Sequence, residues 1–116
     1  MNKLFIGVLF GALFMSGCAA SVSPANLYWG NYSETLYVVK KDNTEEAHTA
    51  HEKELTLIVE ESKKRSLRIP PGVYMELGIY ASKRGDKALA ENYFGLEQKH
   101  YPEGGVLLGK VIELEL

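Results

Sequence analysis

Two histidines, several acidic pairs and one cysteine are the residues whose types and spacing invite chemistry. His48-Thr49-Ala50-His51-Glu52 sets two imidazoles three residues apart on a helix, with Glu45 and Glu52 nearby. Zinc needs at least a third ligand in defined geometry. The metalloprotease pattern His-Glu-x-x-His fails here, because Leu55 stands where the second histidine belongs. The histidines read as an exposed helical face, and no metal is expected. Glu45-Glu46 and Glu60-Glu61 raise the thought of a paired-carboxylate glycan hydrolase acting on the cell wall. Adjacent helical residues, however, point about 100° apart. No nucleophile with a base, phosphate-binding glycine loop or oxyanion motif accompanies them. The expectation is no catalytic residue, no enzyme activity and no cofactor.

Cys18 is different. It is the single cysteine of the chain, so it has no intramolecular disulfide partner. Before it come Lys3, an apolar stretch from Leu4 to Met15, and the small residues Ser16 and Gly17. That is the layout of a secretory signal peptide. The stretch is too short for the ~20 residues that cross a bilayer as a helix. With its cysteine at the cut it resembles the bacterial lipoprotein signal, Met15 standing where leucine is usual. The resemblance implies cleavage between Gly17 and Cys18 and acylation of the Cys18 thiol, with anchoring by more than one acyl chain. Ala19, not aspartate, follows the cysteine. The expected place is therefore the periplasmic face of the outer membrane.

Removing residues 1–17 leaves 99 of the 116, one small domain. Without Lys3 the charge is twelve basic against fifteen acidic side chains. A mildly acidic chain with no basic block argues against nucleic acid. Residues 18–26 are small and polar, with Pro24 among them, and read as a lipidated tether. From Ala19 to Asn26 it reaches at most about 26 Å at ~3.3 Å per residue. The domain proper is expected over 27–116.

The elements that must position anything functional read as helices. Residues 27–41 open on aromatics and contain Asn31 and Glu34 at capping-box spacing, with Lys40 and Lys41 in the last turn. Asn43 with Glu46 starts a second helix. Its apolar stripe is Ala47, Ala50, Leu55, Ile58, Val59 and Ser62, and Lys63-Lys64-Arg65 closes it. Ser66 to Ile69 form a loop, and Pro70-Pro71 mark a helix start. The tail from Val106 is expected to be a helix to about residue 113, with a strand at its end as the alternative.

Residues 71–104 resemble one 34-residue tetratricopeptide repeat. Tyr74, Leu77-Gly78, Gly85-Asp86, Ala90, Phe94 and Pro102 fall at its aromatic, Leu-Gly, turn, small, aromatic and terminating positions. Ala81 and Glu97 depart from it, standing where an aromatic and an alanine are usual, with Tyr80 one residue early. The fold class is thus all-α: short antiparallel hairpins of about four to five helices. Such a repeat would turn Met75, Ile79, Ser82 and Lys83 toward its concave side, as a partner surface or as packing under the second helix. The run Tyr28, Trp29, Tyr32, Tyr37 reads either as core or as an exposed anchor led by Trp29.

The order Tyr-Trp-Gly-Asn-Tyr (28–32), Pro-Pro-Gly-Val-Tyr (70–74), Leu77-Gly78, Gly85-Asp86-Lys87-Ala88 and Tyr101-Pro102 resembles a family of small bacterial lipoproteins of unknown function. Such proteins look tetratricopeptide-like and are encoded beside a lipoprotein similar to the curli secretion channel component. The resemblance implies a membrane-tethered adaptor with a protein partner, such as a curli-channel-like lipoprotein. It carries no catalytic residues. An activator of a cell-wall synthase and a peptidoglycan-active enzyme are the alternatives.

Overall fold

Capping residues and glycines divide the chain into its elements. The computed structural model describes residues 26–115. These form α1 (Tyr32–Asp42), α2 (Glu45–Lys64), α3 (Val73–Lys83), α4 (Lys87–His100), a 3-10 turn (Pro102–Gly104) and α5 (Gly105–Glu115). Among the described residues there is no strand, so the all-α expectation holds and the tail is helical to Glu115.

One cap and one helix start differ from the reading of the sequence. α1 begins after Asn31, where the capping-box spacing puts it, but the Asn31 side chain makes no cap bond. Gly30 takes a left-handed φ of 48°, and the Asn31 N–H donates to Glu54 Oε1 at 2.9 Å. A tertiary partner on α2 has replaced the local capping box. Asn43 likewise closes α1 and does not open α2. It adopts a left-handed conformation and donates its N–H to Val39 O. Thr44 takes the capping role one residue later, its Oγ1 accepting from the Ala47 N–H at 3.2 Å. At the α3–α4 turn the expected signals operate: Gly85 has φ 80° and Asp86 Oδ1 accepts from the Leu89 N–H.

Successive helices run antiparallel. Asn31 meets Glu54 and Thr35 meets His51 across α1–α2. His48 meets Tyr80 and His51 meets Glu76 across α2–α3. Gly72 meets Glu97 and Gly78 meets Phe94 across α3–α4.

The stripe on α2 packs as a narrower line than expected. Ala47, Leu55, Ile58 and Ser62 are buried, but Ala50 is exposed and His51 stands in its place. Residues 47, 51, 55, 58 and 62 recur at three- or four-residue spacing, while Ala50 falls to one side. Leu55 and Ile58 join Ile69, Val73, Tyr74 and Leu77 in one core cluster. Ile69 lies in the loop as expected, yet its side chain is core. A second cluster holds Ala81, Ala90, Phe94 and Leu108, with Met75, Ile79, Val111 and Ile112 against it. Gly78 is obligatory there, since a Cβ would lie 2.4 Å from the Phe94 ring.

Candidate functional site

The two histidines are not on an exposed face. His51 is 1 % exposed and sits between α1 and α3. Its Nδ1 lies 2.7 Å from Thr35 Oγ1 and its Nε2 3.0 Å from Glu76 Oε1. Tyr32 donates its O–H to the other oxygen of Glu76 at 2.6 Å. A neutral ring satisfies this arrangement by donating from Nε2 and accepting at Nδ1. A protonated ring donates at both ends, and the Thr35 hydroxyl then turns to the carbonyl of Asn31 or Tyr32, each 3.2 Å away. Burial, and then the bond to Glu76, push the Tyr32 phenol well above its ordinary range. Burial likewise raises Tyr80. His48 binds Tyr80 OH at 2.8 Å and Asn43 Oδ1 at 2.9 Å. The histidine contacts therefore tie α1, α2 and α3 together.

A hydroxyl, an imidazole and a carboxylate in line suggest a hydrolytic triad. Two features point to packing. The imidazole is sealed from solvent, and the Thr35 hydroxyl is within reach of helix carbonyls in the first turn of α1. Among the described residues no group of three histidine, cysteine, aspartate or glutamate side chains is placed to hold a metal.

This network forms one wall of a groove of about 180 Å³, lined by Leu36 and Val39 of α1, His48 and His51 of α2, and Glu76, Ile79, Tyr80 and Lys83 of α3. Lys83 is exposed and forms no ion pair among the described residues. Two of the residues expected on the concave side, Ile79 and Lys83, are therefore here.

Met75 and Ser82 are not. Both turn toward α5: Met75 packs on the Leu108 cluster, and Ser82 Oγ donates to the Glu115 carbonyl. The apolar tail has covered that part of the surface. Between α5 and the start of α3 lies a second cleft of about 370 Å³, lined by Met75, Tyr101, Leu107, Leu108 and Glu97 among others. Glu97, 7 % exposed, accepts the Gly72 N–H at 2.8 Å through Oε1, and its Oε2 has no partner among the described residues.

The aromatic run divides. Tyr28 and Tyr32 pack on the first core cluster; Trp29 and Tyr37 are 38 % and 63 % exposed. Trp29 rests edge-on against Tyr32, with ring centroids 5.1 Å apart. Gly17 and Cys18 lie outside the described residues.

Five helices, the first three tied by a buried polar network and the last three packed on an apolar cluster, define a small all-α helical domain. The chain belongs to the DUF4810 family, a domain of unknown function, whose model matches residues 27–111. No curated protein and no solved structure matches it.

Proposed function

We propose that this chain is a lipoprotein anchored through Cys18 at the periplasmic face of the outer membrane. There it acts as a non-enzymatic adaptor within an envelope assembly or secretion complex. The observation that carries the adaptor role is the groove between α1 and α3. Leu36, Val39 and Ile79 supply apolar wall beside the polar His48, His51, Glu76 and Tyr80, and Lys83 is a cation with no ion pair among the described residues. That combination suits a partner segment with an apolar face and a carboxylate. The close approach of Gly78 to Phe94 supports reading α3–α4 as a tetratricopeptide-like pair, a frame that commonly offers such surfaces. A curli-channel-like lipoprotein is the partner this reading favours.

The test is a photo-crosslinking residue at Leu36 in cells. Capture of one envelope protein is expected, lost with Val39→Glu or Lys83→Glu while helicity is unchanged. Capture that ignores both substitutions sinks the groove reading.

A further inference from the structure

The way the chain reaches its domain places one end of the helical stack next to the anchor. Tyr28 lies under Arg65, whose guanidinium sits 4.3 Å from the ring centroid. Three residues later Asn31 is bonded to Glu54. The segment therefore runs back along α2, from its carboxyl end toward its middle, and Asn26 leaves the domain beside that carboxyl end. Because the helices alternate in direction, the carboxyl end of α4 lies there too. Arg68 bonds the His100 carbonyl and covers the Tyr101 ring at 3.9 Å.

Cations collect at this end. Lys63, Lys64, Arg65, Arg68 and Lys99 are all exposed there, Lys64 by 71 % of its side chain. The carboxylates on the same segments are Glu60, Glu61, Glu97 and Glu103, of which Glu61 pairs with Lys64 and Arg65 and Glu97 is buried against the Gly72 N–H. Five exposed cations thus stand against four carboxylates, one of them buried, although the chain as a whole is acidic.

We infer that this basic end is a docking surface for anionic lipid headgroups, so that the domain stands on the membrane with the carboxyl ends of α2 and α4 down. The inference rests on acylation of Cys18. An acyl anchor combined with a basic patch is a two-signal membrane attachment. The tether alone, with its reach of about 26 Å at ~3.3 Å per residue, leaves the domain free to tumble. Contact between lipid phosphates and the cations selects one orientation. The groove of Val39 and Lys83, near the opposite ends of α1 and α3, is then held away from the bilayer.

The acylated chain is reconstituted in vesicles of phosphatidylglycerol or of phosphatidylcholine, with a fluorophore on Gln98→Cys or on Lys87→Cys. Those exposed positions lie near opposite ends of α4, about 17 Å apart at 1.5 Å per residue. A nitroxide on the lipid headgroup should quench the label at 98 at least ~2-fold more than the label at 87 in phosphatidylglycerol. The preference should disappear in Lys63→Glu/Lys64→Glu and at high salt, where screening shortens to a few ångströms. Equal quenching at both positions in phosphatidylglycerol, or a preference indifferent to the double substitution, overturns the inference. Flotation separates the two readings. If the chain fails to float with vesicles, the anchoring reading falls; if it floats and the labels are quenched alike, only the orientation falls.

Discussion

His51 and Glu76 meet at 3.0 Å in a contact where the imidazole is almost wholly removed from water. Glu76 bonds Tyr32 with its other oxygen, so one carboxylate on α3 fastens both α1 and α2. Removing Glu76 leaves the buried His51 short of a hydrogen bond, and removing His51 leaves Glu76, part-buried, short of one. His51→Ala should destabilise the fold by about 2–4 kcal/mol and Glu76→Gln by about 1–2 kcal/mol. Urea unfolding of both single variants and the double variant measures the coupling. Strictly additive losses would show that the contact contributes nothing.

Gly78 and Phe94 form the tightest crossing. A methyl at 78 meets the ring at 2.4 Å, so Gly78→Ala should cost roughly 1–3 kcal/mol by overpacking. Phe94→Leu added to it should recover part of the loss. Thermal melts read both, with about 4–8 °C per kcal/mol for a domain of this size.

The alkaline limb of stability should follow the buried phenols. Tyr32 is raised chiefly by burial and then by its bond to Glu76, and Tyr74 and Tyr80 chiefly by burial. For each, the folded state prefers the neutral phenol more than the unfolded chain does. That stability is fully present below the ordinary phenol value near 10 and drains away as pH climbs toward the raised value. Denaturant midpoints should stay flat with respect to these phenols through neutral pH and fall above pH ~10. Tyr32→Phe should start lower and show a shallower fall.

Cys18→Ser should release the chain from the membrane fraction, because a thiol-linked lipid has nowhere to attach. Cell fractionation and mass spectrometry of the mature amino terminus check this. A variant that still floats with outer membrane removes the anchoring proposal.

A search for muropeptide release by the soluble, unacylated chain addresses catalysis directly. No turnover is expected. Turnover abolished by one carboxylate substitution would replace the adaptor reading with an enzymatic one.

Local signals were legible where a helix end needs only its own residues. Gly85 and Asp86 stop one helix and start the next through a left-handed φ and a side-chain cap, and both act within a few residues. The capping box at Asn31 marked the right helix start but its bonds did not form, for a tertiary reason, and Asn43 misled for a local one. Glu54 took the donor that the box at Asn31 would have satisfied, and Asn43 was better used as a left-handed stop, freeing Thr44 to cap.

His51 was the larger miss. A histidine three residues from another on a charged helix looks solvated, and nothing in its neighbourhood announces burial. Its partners Thr35 and Glu76 lie 16 and 25 residues away. Only the meeting of α1 and α3 over α2 supplies the bonds that make the burial tolerable. The one forewarning was Ala47 and Leu55, which bracket position 51 at four-residue spacing on the same stripe.

By itself the sequence determined that the chain is helical and where most helices change direction. Periodicity, caps and side-chain volume act over one or two turns and can be read along the chain. The tertiary structure decided which polar groups went inside and which candidate surface stayed open. It sealed His51, covered Met75 and Ser82 with α5, and left Ile79 and Lys83 at a groove. Those outcomes depend on distant segments competing for the same apolar face and the same hydrogen-bond donors.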